Sequence, residues 1–482
     1  MHPACAVPVP RPSCARRRWC APVAAAALLA GCSGGGVVRP PAAVTPAQWQ
    51  QEQLRALDRA QSLYDRAQRQ PGLLAQDLWM HAARRAHRGA AFRAIFGQYL
   101  NWYDGFAGRD LRALRDFSIA QPPQPGEAPS PLLRPSVWHA QPALAAIARL
   151  ARGRRAVFFN EDHTDPETRT LTIALLARLR AEGFDTFAAE TLYQRGIATL
   201  RRSGWVGPGT GFYTREPLYA DMVDTALALG YRVIAYEAPD AAHAQAREAD
   251  EAANLARRAF RGHPHARLVV NAGFAHVQKR GRYLGGRSMA EDFMRLTGID
   301  PLVVEQTMLT GHLQRGFDQP DWRAVIAALH PTVPIVFLDR TGRPWSLWPG
   351  AYDVSVFFPR MRVLDGRPTW LGVWGQRLPV PVSAALCAGE FPCLVSAHPA
   401  AAPRSSEALD RVVFRCGRQL RDLWLAPGRY RLRASDRADQ TLGRMALQVA
   451  RTAVIPAGVP LSAYRGIGCY TPGRLYRVIR DH

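Results

Sequence analysis

The stretch that decides the fold is Ala156-Val157-Phe158-Phe159-Asn160-Glu161-Asp162-His163, an apolar run that stops on an acid and a histidine. Three later segments follow the same plan: residues 186–189 precede Glu190, residues 233–236 precede Glu237, and residues 268–275 precede His276. Short apolar runs separated by helix-length amphipathic stretches are typical of buried parallel strands in βαβ units. The sequence therefore predicts an α/β fold with a Rossmann-like, mainly parallel sheet and helices on both faces.

The ends of these strands are the predicted site, because ligands of open α/β sheets bind beyond the carboxyl ends of the strands. A histidine held by a carboxylate has a fixed tautomer and a raised pKa. His163, two residues after Glu161, can therefore act as a general base toward water or as a metal ligand. Glu190 and Glu237 can bind a metal ion, orient His163 or share a proton. His276 completes the group.

Two arginines and three other polar residues extend the predicted site. Arg169, in the first turn of the following helix, can fork onto a substrate carboxylate or stabilise an oxyanion. Arg247 and Asn254 are seven residues apart and share one helix face. The candidate catalytic residues are Glu161, His163, Arg169 and Arg247; the candidate metal ligands are Glu190, Glu237 and His276; the candidate substrate contacts are Tyr193, Tyr213 and Asn254.

Each of these residues also has a plainer interpretation. Glu190 can cap a helix or pair with Arg195, Glu237 can belong to a turn, and His276 can lie at the sheet edge. Arg247 can form a surface pair with Glu251, four residues further along the helix. The joint occurrence of polar residues at four equivalent strand ends favours a shared site, because a buried unpaired carboxylate is costly.

The chain divides by composition into several regions. We predict a helical region at 45–120, with an aromatic stripe as a packing face, and a proline-rich linker at 121–135. The α/β domain that carries the site covers 136–350, and a small β-rich domain covers 351–482. The glycine-rich stretch 195–214 is predicted to be a long loop, either a lid or a disordered insertion.

The N-terminus is typical of an exported lipoprotein. Arg16-Arg17-Arg18 precede a short apolar segment, which predicts a signal peptide at 1–31. It ends in Leu29-Ala30-Gly31-Cys32, which resembles the bacterial lipobox and implies lipid modification of Cys32; the alternative is an ordinary signal peptide. Residues 32–44 are a predicted flexible tether. Because Ser33 follows Cys32, we expect a lipid-anchored protein of the cell envelope, at the outer membrane and facing the periplasm.

Four cysteines remain after the anchor, and all lie in the last hundred residues: Cys387, Cys393, Cys416 and Cys469. In an oxidising compartment they predict two disulfides with three possible pairings. Proximity in sequence favours Cys387–Cys393, which leaves Cys416–Cys469. A zinc site is the alternative, although the spacing fits no common zinc motif.

The formal net charge of +23 does not predict nucleic-acid binding. Lys279 is the only lysine among the 62 basic residues, and the arginines are spread along the chain without a nucleic-acid motif. This pattern indicates a GC-rich genome, and it leaves a membrane surface and a small-molecule or peptide substrate as the expected partners.

Residues 160–163, followed by Asp165-Pro166 and a long helix, resemble the first motif of the erythromycin esterase, ChaN and TIKI/TraB superfamily. The strand that ends at Glu190, the 247–254 segment and residues 272–276 resemble its later motifs. The resemblance covers roughly residues 143–306, and Asn160 departs from it because the family usually has glycine there. The one-residue gap between Glu161 and His163 is more similar to the haem-binding ChaN lipoproteins than to the esterases.

The resemblance implies three functional hypotheses. In a hydrolase of ester, lactone or peptide bonds, Glu161 would orient His163 to activate water, Arg169 would stabilise the oxyanion, and the other ligands would bind zinc or manganese. In a ChaN-like protein, Tyr193, Tyr213 or a histidine would be the axial ligand of haem. The third hypothesis is an envelope protein with a structural role and a site that has lost its activity.

Overall fold

The computed structural model describes residues 45–87, 89–116, 130–238, 241, 243–313, 315–450 and 459–460. The predicted signal peptide, the tether with Cys32, most of the proline-rich linker and Cys469 lie outside these residues, so the predictions made for them stay predictions.

Helices and strands are numbered in chain order over the described residues. The α-helices are α1 (Pro46–Ala67), α2 (Leu73–Ala86), α3 (Ala90–Phe106), α4 (Asp110–Asp116), α5 (Ala143–Leu150), α6 (Glu167–Ala181), α7 (Gln194–Ser203), α8 (Pro217–Ala228), α9 (Ala244–Phe260), α10 (Met289–Thr297) and α11 (Pro320–Leu329). The strands are β1 (Trp138–Pro142), β2 (Ala156–Glu161), β3 (Thr186–Ala189), β4 (Arg232–Ile234), β5 (Leu268–Gly273), β6 (Leu302–Glu305), β7 (Ile335–Asp339), β8 (Val354–Ser355), β9 (Arg362–Leu364), β10 (Arg367–Pro368), β11 (Leu378–Ser383), β12 (Cys393–Pro399), β13 (Asp410–Phe414), β14 (Leu420–Leu425), β15 (Gly428–Ser435), β16 (Thr441–Val449) and β17 (Val459–Pro460).

Six strands form one parallel sheet in the order β4-β3-β5-β2-β6-β8. All residues of β2, β3, β5 and β6 are buried, as expected for apolar strands covered on both sides. The predicted parallel sheet is therefore confirmed.

Helices cover both faces of this sheet, because alternate residues of each strand point in opposite directions. Val157 and Phe159 of β2 belong to a core that includes residues of α6 and α8. Ala156 and Phe158 belong to a second core that includes residues of α9 and α10. The predicted cover of helices on both faces is confirmed.

The glycine-rich stretch 195–214 differs from the prediction of a long loop. Most of its first half forms α7, in which Ile197 and Leu200 are buried. A Cβ on Gly196 would lie 2.4 Å from the carbonyl oxygen of Gly209, so the helix packs directly against the following backbone. The prediction of a loop was wrong for residues 195–203, which form a helix, and it holds for residues 204–212.

The helical region before the sheet is confirmed, and it begins with a capping box between Thr45 and Gln48. The aromatic stripe on α3 is a packing face, because Phe92, Phe96, Tyr99 and Trp102 are all buried. None of the described helices is both long enough and apolar enough to span a membrane.

The C-terminal part consists of antiparallel sheets, as predicted, although β8 of the central sheet lies past the predicted boundary at residue 350. The predicted Cys387–Cys393 disulfide is present. The helical region packs against this part through buried Arg367, whose guanidinium lies 2.9 Å from Asp110 and 2.6 Å from Asp410.

Candidate active site at the carboxyl edge of the sheet

Three adjacent strands bring the predicted residues together. Glu161 is the last residue of β2 and lies beside Gly273 of β5, while Glu190 follows β3 and its backbone N–H donates to the carbonyl of Asn271. His276 lies in a short 3₁₀ helix directly after β5. The strand register therefore converts residues far apart in sequence into neighbours.

His163 lies between two carboxylates. Its Nδ1 is 2.8 Å from Oε1 of Glu161, and its Nε2 is 3.2 Å from Oε2 of Glu190. The ring of Tyr213 stacks on the imidazole at 4.3 Å, and the edge of Phe274 contacts it at 5.3 Å. Burial alone would lower the pKa of His163, but Glu190 and Glu161 raise it to about 9.

Arg169 holds Glu161 rather than facing an open site. Its Nε and one terminal nitrogen donate to the two oxygens of Glu161 at 3.0 and 3.1 Å, and its other terminal nitrogen donates to Glu216 at 3.1 Å. Burial would raise the pKa of Glu161, but this guanidinium and His163 lower it to about 2. With its donors engaged by carboxylates, Arg169 fits a positioning role for Glu161 better than the predicted oxyanion role.

Arg247 occupies the space among the predicted metal ligands. Its guanidinium lies 3.2 Å from Glu190 and 3.3 Å from Glu237, and it lies 3.3 Å from Nε2 of His276. A cation between these three side chains would meet the positive charge of Arg247. Glu190, Glu237 and His276 therefore do not fit a divalent ion while the arginine is in this position.

The Arg247–Glu251 pair is present, with Nε 2.7 Å from the carboxylate, but it is buried rather than a surface pair. The guanidinium of Arg247 therefore faces three carboxylates, those of Glu190, Glu237 and Glu251. Burial alone would raise the pKa of Glu190, but the charges of His163, His276 and Arg247 lower it well below its usual value. Glu190 is therefore an ionised carboxylate inside the protein.

A second group of acids and imidazole can hold a metal ion. Glu248, Glu251 and His276 are all buried, and one ligand atom from each lies within 4.8 Å of the others. Nδ1 of His276 is 2.8 Å from Glu248. Oε1 of Glu251 lies 2.7 Å from Nε of Arg247, and burial raises the pKa of this carboxyl well above its usual value.

The three candidate substrate contacts differ in position. Tyr213 is in the site, on the face of His163. Tyr193 is half-buried at the N-terminal cap of α7. The amide of Asn254 donates to the carbonyl oxygen of Tyr236 at 3.0 Å, so its side chain ties α9 to the end of β4.

Sequence reasoning missed two residues of β5 that shape the site. The amide nitrogen of Asn271 donates to Oε2 of Glu161 at 2.6 Å. A Cβ on Gly273 would lie 2.1 Å from Nε2 of His163 and 2.9 Å from Glu190, so only glycine leaves room for the imidazole. The sequence signal that could have indicated them is the presence of Asn271 and Gly273 at the end of an otherwise apolar strand.

Asn160, the departure from the family pattern, has a structural role. Its Oδ1 accepts from the backbone N–H of Gln306 at 2.7 Å, and its Nδ2 donates to Thr307 at 3.3 Å. The side chain therefore links the ends of β2 and β6, beside the charged site.

The site combines an ionised carboxylate, a protonated histidine and two arginines in buried surroundings. The side chains of His163 and Glu190 are only 6% and 7% exposed, and that of Glu237 is 14% exposed. Such low exposure strengthens each electrostatic contact, because bulk water screens these charges little. Such an arrangement can transfer protons to and from a bound group.

No family model matches the chain, and no curated protein does. Among solved structures it is similar to the type III effector HopBA1, with 16% identity over 39% of this chain and 96% of that chain, at a TM-score of 0.27. It is also similar to RRSP, a MARTX toxin effector domain from Vibrio vulnificus CMCP6, with 14% identity over 56% of this chain and 66% of that one, at a TM-score of 0.28. A structure described as bacterial protein toxins has 13% identity, covers 56% and 69%, and has a TM-score of 0.30. At such TM-scores we base no conclusion on these similarities.

Proposed function

We propose that this chain is a hydrolase of an ester, lactone or peptide bond in which His163 and Glu190 carry the proton transfers. The observation that supports this most is the position of the buried imidazole, 2.8 Å from Glu161 and 3.2 Å from Glu190. A general base that activates water, a proton donor and a group that orients the donor are parts that serve hydrolysis of an acyl bond.

The proposed reaction begins with water attacking the carbonyl carbon while Glu190 takes one of its protons. The bond to the leaving oxygen or nitrogen then breaks, and that atom receives the proton from Nε2 of His163. The products are a carboxylic acid and an alcohol or amine. The proton on Glu190 passes to His163 across the 3.2 Å contact, which restores both groups.

This assignment reverses the role first expected for His163. With a pKa of about 9, the imidazole carries a proton at neutral pH and is suited to donate it rather than to activate water. Glu161 stabilises the imidazolium, and Arg169 in turn fixes Glu161 by a bidentate contact. Arg247 holds the Glu190 carboxylate in place from the other side.

We propose that a divalent ion, zinc or manganese, binds Glu248, Glu251 and His276 rather than the predicted set, and that Arg247, whose Nε lies 2.7 Å from Glu251, moves aside to admit it. Carboxylate and imidazole ligands suit both ions. Bound there, the ion would offset the buried negative charge and hold His276. Metal analysis of the purified protein, compared with Glu251→Gln, tests this; equal metal content in both proteins would contradict it.

The hydrolase proposal is tested with His163→Gln on a panel of esters, lactones and peptides. We expect kcat to fall about 10²- to 10⁴-fold, the usual contribution of general acid–base catalysis. His265→Gln, at an exposed histidine, is the matched control and is expected to keep its activity. Because Arg247 already balances Glu190 and Glu237, turnover is expected to survive EDTA.

Two outcomes would sink the hydrolase proposal. One is the absence of turnover by the wild-type protein across the whole panel, with and without Zn²⁺ or Mn²⁺. The other is a His163→Gln variant that remains folded by circular dichroism and keeps wild-type turnover.

Haem binding, with Tyr193, Tyr213 or a histidine as ligand, is the alternative. Iron prefers tyrosinate, and burial raises the pKa of Tyr213 well above its usual value, which opposes that form. A haem titration with a Soret shift that is lost in Tyr213→Phe would favour this alternative. A structural envelope protein with an inactive site is the third possibility, and the paired charges around His163 speak against a decayed site.

We also propose that the chain is a lipoprotein of the outer membrane, within the superfamily that its motifs resemble. The Cys387–Cys393 disulfide supports export to an oxidising compartment. Labelling with a radioactive fatty acid tests the anchor: we expect incorporation into the wild-type protein and none into Cys32→Ala.

A further inference from the structure

A cavity between the helical region and the C-terminal sheets is lined by four arginines. It has a volume of about 450 Å³ and lies between α2, the start of α4 and the segments around Pro392 and Arg415. Its arginines are Arg85, Arg109, Arg112 and Arg415. None of the residues of the sheet-edge site lines it.

The floor of the cavity is a charge-balanced group. Arg109 lies 2.8 Å from Asp77. Arg112 lies 3.8 Å from Asp104 and 3.0 Å from Nδ1 of His81. Both aspartates are fully buried behind the arginines, so two of the four positive charges already have partners.

At the opening of the cavity, the positive charges are not matched by carboxylates. Arg85 and Arg415 are exposed, and neither forms an ion pair among the described residues. Partial burial, followed by the positive charges of Arg109 and Arg112, lowers the pKa of Arg415. Four arginines facing two carboxylates leave two positive charges in excess, and these repel one another.

We propose that this cavity binds a small, soluble phosphate monoester. Its two negative charges match the two charges in excess, and guanidinium groups fork onto phosphate oxygens with favourable geometry. Leu78 and Phe391 on the wall offer apolar contact to the organic part of the ligand. The volume lies within the range of about 300–1,000 Å³ typical of small-molecule sites.

The test is calorimetric titration of the full-length protein with inorganic phosphate and with phenyl phosphate. We expect both to bind, and phenyl phosphate to bind more tightly. The Arg85→Gln/Arg415→Gln double variant changes only exposed side chains, so its fold is expected to survive. Its affinity for both probes should fall about 100-fold, roughly tenfold for each arginine lost.

Arg429→Gln is the matched control, because Arg429 is an exposed arginine on β15 that does not line the cavity. Its affinity should stay within about twofold of the wild type. The proposal is overturned if phenyl phosphate gives no heat up to about 10 mM, or if the double variant binds as tightly as the wild type. Binding to phosphatidylglycerol vesicles without binding of either soluble probe would likewise overturn it, in favour of a lipid headgroup.

Discussion

Among the buried histidines that the structure describes, His163 and His81 each lie near two carboxylates, and their contacts differ in one respect. In the sheet-edge site, each nitrogen of His163 faces its own carboxylate. In the helical region, Asp104 and Asp77 both approach Nε2 of His81, at 2.8 and 3.4 Å. Nδ1 of His81 instead lies 3.0 Å from a terminal nitrogen of Arg112.

This difference gives the two imidazoles different partners: two carboxylates for His163, and carboxylates with an arginine for His81. Burial lowers the pKa of His81, but Asp104 and Asp77 raise it above its usual value, whereas the N–H of Arg112 needs an acceptor at Nδ1. His163 has an acceptor at both nitrogens and is stabilised as the imidazolium. The first cluster can donate a proton, whereas the second anchors arginines whose remaining charge faces a cavity. In the two proposals, the same residue types serve proton transfer at the sheet edge and anion binding at the arginine-lined cavity.

Gly273→Ala is expected to have the largest effect, and it tests whether the position of His163 is needed for proton transfer. The backbone of Gly273 suits alanine, but the new Cβ would meet Nε2 of His163 at 2.1 Å and must displace the imidazole from Glu190. We expect kcat to fall at least about 100-fold, because a misplacement of 1 Å has that effect on an aligned group. The free energy of unfolding should fall by about 1–3 kcal/mol from overpacking.

Gly316→Ala is the control for this substitution, because no atom lies within 4 Å of a Cβ built there. Its kcat and chemical denaturation midpoint should match the wild type. If Gly273→Ala keeps full activity, the close approach of β5 to His163 does not matter for turnover.

Arg169→Gln tests how much the buried ion pair with Glu161 contributes to the free energy of unfolding. It leaves the buried carboxylate of Glu161 without its guanidinium, so we expect a loss of about 3–5 kcal/mol in the free energy of unfolding. Arg152→Gln breaks the exposed ion pair with Glu182 and is expected to cost at most about 1 kcal/mol. Urea denaturation measures both; equal losses in the two variants would show that burial of the Arg169–Glu161 pair is not what matters.

Much of the α/β fold could be predicted because its signals are local. The apolar run before Glu161 specifies a strand buried on both faces, and Gly183 marks the end of the helix that follows. The position of the site followed from one rule, that parallel strands end at the same edge. From that rule alone, Glu161, Glu190 and His276 were expected to lie close together, as they do.

The individual side-chain contacts of the site could not be predicted. They depend on strand register and on how deeply each residue is buried, and sequence spacing specifies neither. Arg247 was predicted as a candidate catalytic residue, with a surface pair to Glu251 as the alternative, but its contacts with Glu190 and Glu237 depend on the packing of α9. Gly273 matters through a contact with His163, 110 residues earlier in the sequence. The arginine-lined cavity was invisible because it joins two regions whose contact no sequence pattern indicates.

The pH dependence of turnover and stability tests the imidazolium. The pKa of His163 is raised from 6.5 to about 9 in the folded protein. Its contribution to stability is therefore fully present below pH 6.5 and is lost as the pH rises through 9, an effect of about 3 kcal/mol. The rate should fall about tenfold per pH unit above 9, because the proton donor is then lost.

In His163→Gln, the free energy of unfolding should fall less as the pH rises through 9. This difference separates the contribution of His163 from those of the arginines and tyrosines. An NMR titration of the ring follows the same proton directly. A wild-type rate that instead rises through pH 7 and stays constant to pH 10 would assign His163 the role of general base.

The smallest expected effect is that of salt, and it separates the two clusters most simply. Between about 0.05 and 0.5 M sodium chloride, screening and chloride competition should weaken phosphate binding by roughly threefold to tenfold, because Arg85 and Arg415 are exposed. Hydrolysis of a neutral ester should change by less than about twofold, because the charges around His163 are buried and screened much less. Steady-state kinetics and calorimetry on one preparation measure both effects. If hydrolysis and phosphate binding declined equally, ions would reach the sheet-edge site as readily as the arginine-lined cavity. The contrast between a buried proton-transfer site and an exposed anion site would then be wrong.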